Sequence, residues 1–256
     1  MDTWPVLYTV VHKARQSTKQ QRGLSAAKGA QEAVAVTGYP AEGELEGTSR
    51  AEYAYKMLLD AIHEQTLKPG ERVREDEVSR MLGISRTPVR QALHKLQTRG
   101  LLRQAPGRGL LVAELDRQQV VELYAMRELL EGAAARLAAQ HAGPSDIVAM
   151  RRVLQEFRKA APDARSLARI NRLFHATIHE AAHNRYLSQS LDDFSDTLAL
   201  LRGTTFTLKG RWKVELAENI ELIDAIERRD AEAAEAAARQ NMRSALDARL
   251  RMLFAA

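Results

Sequence analysis

Three histidines in the stretch NRLFHATIHEAAHN, His175, His179 and His183, stand four residues apart. On a helix that spacing stacks the side chains along one side. Imidazoles at HxxxH spacing can bind zinc. Without a further ligand they make a weak site, and such a stripe more often serves packing or surface. A second set of polar residues is embedded in apolar stripes. Arg127 lies among Leu123, Tyr124 and Leu130, and Asn171 and His175 lie among Phe174, Ile178 and Ala182. Asn219 lies among Ile220, Leu222, Ile223 and Ile226, and Asn241 among Ala234, Ala237, Ala238 and Ala245. Buried without partners, such groups would cost about 1–3 kcal/mol each. Either they satisfy one another or they surround a polar ligand. A buried arginine needs an anion. No fixed Asp or Glu stands out as the match for Arg127, so an organic acid whose carboxylate pairs with Arg127 while the Asn and His groups orient it is one candidate, beside a hydrogen-bonded network with no ligand.

A different chemistry is written into SRTPVRQALHKLQTR, residues 85–99. Val89, Ala92, Leu93 and Leu96 make an inward stripe. Arg86 and Arg90, one turn apart with Thr87 nearby, point away from it. Guanidinium forks match guanine O6 and N7 or two phosphate oxygens. The free N–H groups of a helix N-terminus, which Ser85 caps here, favour phosphate as well. Further on, Arg108 between Gly107 and Gly109 is poised for a groove or backbone contact. The charge distribution agrees. Residues 50–113 carry 12 Lys+Arg against 7 Asp+Glu, whereas the segments before and after balance, so the whole net charge of +5 resides there. A localised basic excess is the electrostatic footprint of a nucleic-acid-binding module.

The elements that must hold these residues are mostly helical. Alanine is abundant and aromatics are 5% of the chain, which favours helix over sheet. Residues 50–67 form an amphipathic helix with Ala54, Met57, Leu58, Ala61 and Ile62 on one side, stopped by the turn KPGER. A short helix over 75–82 ends at Gly83, the next runs to Arg99 and ends at Gly100, and LLRQAPGRGLLV reads as a small hairpin. Helix, helix, turn, helix and hairpin make a winged helix-turn-helix over 49–115. Helices are expected over 116–140, 144–160, 163–182, 185–202, 212–228 and 230–254, which make residues 116–256 an all-helical bundle. Residues 1–48 lack periodicity and read as a disordered arm or linker. The fold class is therefore mainly α, an N-terminal winged helix-turn-helix followed by a C-terminal helical bundle.

LKPGERVREDEVSRMLGISRTPVRQALHKLQTRGLLRQAPGRGLLV resembles the DNA-binding domain of GntR-family bacterial transcription regulators, with Gln91 where the family pattern has Glu. The resemblance implies DNA contacts at Arg74, Ser85, Arg86, Thr87 and Arg90, and a wing contact at Gly107, Arg108 and Gly109. It also implies a homodimer on a near-palindromic double-stranded DNA operator. The bundle resembles the FCD-type effector domain in LYAMRELLEGAAARLAA, NRLFHATIHEAAHNRYL and ENIELIDAIERRDAEAAEAAARQNM. That resemblance implies a pocket for a small-molecule effector, with Arg127, Asn171, His175, Asn219 and Asn241 as its ligand-binding residues. Many members hold a metal there through one Asp and three His. Those positions fall here on Asn171, His175, Asn219 and Asn241, so one ligand of four survives. Amide oxygens are poor zinc ligands, and no tightly bound metal or other cofactor is expected.

Several classes are excluded or disfavoured. Without cysteine there are no disulfides, thiolate ligands or cysteine nucleophile. A reducing cytoplasm is the expected location. No apolar run reaches the ~20 residues of a membrane span, and the charges near the start follow rather than precede its short apolar patch, unlike a secretory signal. There is no nucleophile–base pair and no phosphate-cradling glycine loop, so an enzyme is not expected. The expected function is a ligand-responsive regulator, a repressor released by its effector. Its rivals are a constitutive DNA-binding dimer and metal-dependent sensing through a degenerate site.

Overall fold

The computed structural model describes residues 49–254, and the arm expected over 1–48 lies outside them. The chain divides between Glu114 and Leu115 into two compact units, one residue before the boundary suggested by the sequence.

In the first unit, Ser49 accepts a hydrogen bond from the Glu52 N–H and starts α1, Arg50–His63. The helix stops four residues short of Leu67, which folds back so that its N–H reaches the Ala61 carbonyl. The KPGER turn leads into a short strand absent from the sequence reading, β1, Arg72–Val73. Two residues carry no alternation to detect, and β1 exists through its distant partner. Helix α2 spans Glu75–Leu82 and ends on Gly83 at φ +70°, a left-handed cap that glycine adopts without a Cβ clash. Helix α3 spans Arg86–Thr98. Strands β2, Leu102–Ala105, and β3, Gly109–Val112, form the wing. The sheet order is β1-β3-β2, all antiparallel, with Arg72 opposite Leu111 and Ala105 opposite Gly109. Leu58, Ile62, Val78, Val89, Leu96 and Val112 are buried in this unit. Each such side chain contributes about 1.5–3 kcal/mol on leaving water, enough to fix which side of α3 faces out.

The second unit is built from α4, Arg117–His141; α5, Pro144–Ala160; α6, Ala164–Ala181; α7, Arg185–Leu198; α8, Arg211–Glu227; and α9, Ala231–Phe254. Asp116 and Gln119 close a capping box at the start of α4. Helix α7 ends earlier than the periodicity suggests, and a 3-10 turn at Thr205–Thr207 follows. That turn seats Phe206 edge-on against Phe157, with ring centroids 5.6 Å apart. Ala134, Ala135, Ala138 and Ala139 give α4 a flat face, and Phe157, Phe174, Ile178, Ile223 and Ile226 fill the core. Helix α4 packs on α9 and on α6, so polar side chains on these helices can meet inside.

Candidate functional site

The first unit presents its basic groups outward. Ser85 occupies the N-cap of α3, but its side chain makes no capping hydrogen bond, and the first turn contains no acidic residue. The positive end of the helix dipole is thus left for an external anion. Arg86 and Thr87 are exposed beside it. Arg90 is exposed too, yet its Nε and Nη2 donate to the two carboxylate oxygens of Glu75 at 2.9 Å each. Those bonds hold the Glu75 carboxyl below its ordinary value. Arg74, the N-cap of α2, lies 3.3 Å from Asp76 and 3.5 Å from Glu77. Two of the arginines expected to meet DNA therefore carry internal carboxylates. Exposed pairs of this kind are weak and salt-screened, so a phosphate can take the place of the acid.

At the wing tip Gly107 and Gly109 have φ of +69° and +77°. These conformations turn the chain and leave Arg108 exposed between them. A Cβ at Gly109 would lie 3.6 Å from the Arg72 guanidinium. Arg72 thus adds a cation beside Gly109 of the wing that the sequence reading missed, because only the β1–β3 pairing brings it there.

In the second unit the polar groups are enclosed. Arg127 Nη2 donates to Glu131 Oε1 at 2.8 Å. The other oxygen, Oε2, lies 3.2 Å from His175 Nδ1 and 2.9 Å from His179 Nε2. All four residues are buried. Burial opposes ionisation of Glu131, but the two imidazoles facing it outweigh that and hold the carboxyl well below the usual range. The expectation that Arg127 awaits a ligand's carboxylate is corrected by Glu131, one turn along the same helix. His179, whose stripe suggests packing or surface, is part of this group. His183 stands just past the end of α6, with φ +50°, and lies 3.5 Å from Asp146.

The three asparagines go elsewhere. Asn219 Nδ2 donates to Asn171 Oδ1 at 3.2 Å. Asn241 Nδ2 donates to Glu215 Oε1 at 3.2 Å and Glu218 Oε2 at 3.0 Å. Arg211 closes that group at 2.5 Å from Glu215 and 3.4 Å from Glu218. Burial pushes the Glu218 carboxyl above its ordinary value, outweighing the hydrogen bond from Ser244 and the Arg211 charge. Asn219 and Asn241 have no exposed surface, and their Oδ1 atoms have no hydrogen-bond partner; the Arg211 Nε is likewise unpartnered. The orientation of Asn241 is chemically fixed, since a flip would press its oxygen against two carboxylates. Arg211, Glu215, Glu218 and Asn219 recur at helical spacing on α8. That spacing was the available sequence signal for this group.

The residues at the family's metal positions do not fit a metal. Asn171 Oδ1 is occupied by Asn219, and Asn241 turns its NH₂ toward two acids. Only His175 offers a nitrogen. Two surface clefts of about 270 and 540 Å³ are lined elsewhere, by residues such as Leu137, His141 and Tyr186 in one and Arg158, Trp212 and Lys213 in the other.

Residues 50–112 match the bacterial regulatory proteins of the gntR family, and residues 122–244 match the FCD domain. An HTH-type transcriptional regulator of Bacillus subtilis (strain 168), YdhC, is 29% identical over 70% of this chain and 82% of its own. An HTH-type regulator from the TAR-I ttuE-ttuC' intergenic region of Agrobacterium vitis is 35% identical over 50% of this chain and 78% of its own. Among solved structures, Escherichia coli McbR/YncC superposes with a TM-score of 0.72 at 22% identity, covering 80% of this chain and 99% of that one, which speaks to the fold. The matched families and relatives are transcription regulators rather than enzymes. Winged unit and helical unit are matched in order, and the chain belongs to the GntR family: it is a DNA-binding transcriptional regulator with an FCD effector domain.

Proposed function

We propose that this regulator works as a homodimer on a near-palindromic operator and that a small polar metabolite, bound in the helical unit, releases it from DNA. The observation that carries the ligand reading is the pair of fully buried amide oxygens at Asn219 and Asn241, which lack donors. Leaving such acceptors unpaired costs about 1–3 kcal/mol each. A ligand that brings N–H or O–H donors would recover part of that cost on binding. The effector class therefore moves from a simple organic acid held by Arg127 to a molecule rich in donors, such as a polyol or an amine. Ligand binding changes DNA affinity only through different affinities for two states of the protein. The polar core is enclosed, so admission of a ligand and a change of state would go together.

The test is operator binding by fluorescence anisotropy, using the promoter DNA of the regulator's own gene and a panel of polyols, amines and organic acids. A compound that weakens operator binding in wild type but not in Asn241→Leu is the expected result. Operator affinity unmoved across the panel would favour a constitutive DNA-binding dimer instead.

A further inference from the structure

We propose that Glu131, His175 and His179 form a binding site for a divalent transition-metal ion, displaced from the position at which the FCD resemblance places one. His175 belongs to both sets. His179, one turn further along α6, and Glu131, on α4, belong only to this one. Glu131 Oε2, His175 Nδ1 and His179 Nε2 all lie within 4.8 Å of one another. The two shorter separations, 2.9 and 3.2 Å, run from the carboxylate oxygen to each imidazole. Ligand atoms about 2.0 Å from a tetrahedral ion stand roughly 3.3 Å apart. Two edges of the required triangle, at 3.2 and 2.9 Å, are close to that length, the second needing to lengthen by about 0.4 Å.

The donor set is the one that zinc and similar ions accept: two imidazoles and one carboxylate, with a position left open. Nitrogen donors argue against magnesium or calcium, which take oxygen. Arg127 occupies only Oε1 and leaves Oε2 available. It thereby fixes the carboxylate's orientation, as outer hydrogen bonds do for metal-ligating carboxylates. Binding requires one internal change. His175 Nδ1 and His179 Nε2 must present lone pairs, so each neutral ring carries its proton on the other nitrogen. No bond to carbon is made or broken. The ion's surplus charge beside Arg127 is met at the open position, where hydroxide or an anionic ligand would sit.

The proposal does not depend on effector response or on DNA. Full-length protein stripped with chelator and desalted would be titrated with Co²⁺, with visible d–d bands as the readout, and with Zn²⁺, with metal per chain measured by inductively coupled plasma mass spectrometry. One ion per chain and the intense Co²⁺ bands of a four-coordinate site are expected. His179→Asn should weaken binding by more than the roughly 10–100-fold that loss of a mere outer partner brings, and His183→Asn, at an exposed histidine outside the group, should leave it unchanged. Wild type retaining no ion after desalting overturns the proposal without recourse to any variant. So does metal affinity that falls in His183→Asn but not in His179→Asn. Circular dichroism of each variant separates lost binding from lost folding.

Discussion

The winged unit and the helical unit both pair arginine with glutamate, and the two pairings have opposite consequences. Arg90 and Glu75 meet at 2.9 Å in solvent, with the arginine side chain 73% exposed. Arg127 and Glu131 meet at 2.8 Å with side chains 11% and 4% exposed. The first pair sits in water and salt, so either partner can be exchanged for another ion at little cost. The second has no solvent to fall back on, and removing one partner strands a charge in the interior. Near-equal distance thus says little about strength. What differs is what replaces the partner when it leaves.

The comparison is broken or sharpened first at Glu131. Glu131→Gln keeps the shape, leaves Arg127 uncompensated and should cost about 3–5 kcal/mol. Urea unfolding measures this, and a loss below about 1 kcal/mol would mean that Arg127 reaches water. Next in size, Arg86→Ala should leave the urea midpoint in place while weakening operator binding roughly ten- to a hundred-fold. If Arg86 meets phosphate only, the loss is uniform across sequences and the salt slope falls by about one.

A smaller effect is expected at Glu218. Its carboxyl pKa is raised on folding above the ordinary 4.5, so the folded state binds the proton more tightly than the unfolded chain. That group's contribution to stability is therefore complete at pH below 4.5 and is lost as pH rises through the raised value. Glu218→Gln should flatten this part of the stability–pH profile, and an unchanged profile would place the titration elsewhere. Smallest of all, Glu75→Gln frees Arg90 and should tighten DNA binding roughly two-fold at low salt, vanishing at high salt. Weaker binding in that variant would make Glu75 an orienting partner of Arg90 instead of a competitor.

Local signals carried much of this fold. Gly83 and Gly100 mark helix ends through conformations that other residues rarely adopt, and the apolar period placed α4, α5, α6, α8 and α9 to within two residues. Strand β1 escaped because its pairing with β3 is not local. At the site, Arg127, His175, Asn219 and Asn241 are buried and Asn171 is half-buried, but their partners were not legible. An Arg-x-x-x-Glu pair such as Arg127 and Glu131 reads equally well as a surface pair. Its burial is decided by α6 and α9 arriving from elsewhere in the sequence. The same holds for Glu215 and Glu218, whose role appears only when Asn241 of α9 reaches them.

Glu131 has one further consequence, for how the helical unit opens. A single carboxylate receives bonds from Arg127, His175 and His179, tying α4 to α6 at one node. Those contacts cannot fray one at a time, because losing the carboxylate exposes three groups at once. Backbone amides of α6 near Phe174 and Ile178 should then exchange with deuterium only when the whole unit unfolds. Amides in the exposed first turn of α3 should exchange through local fluctuations. The protein would thus show two clocks: a fast one where it reads DNA and a slow one where its helical unit is tied shut.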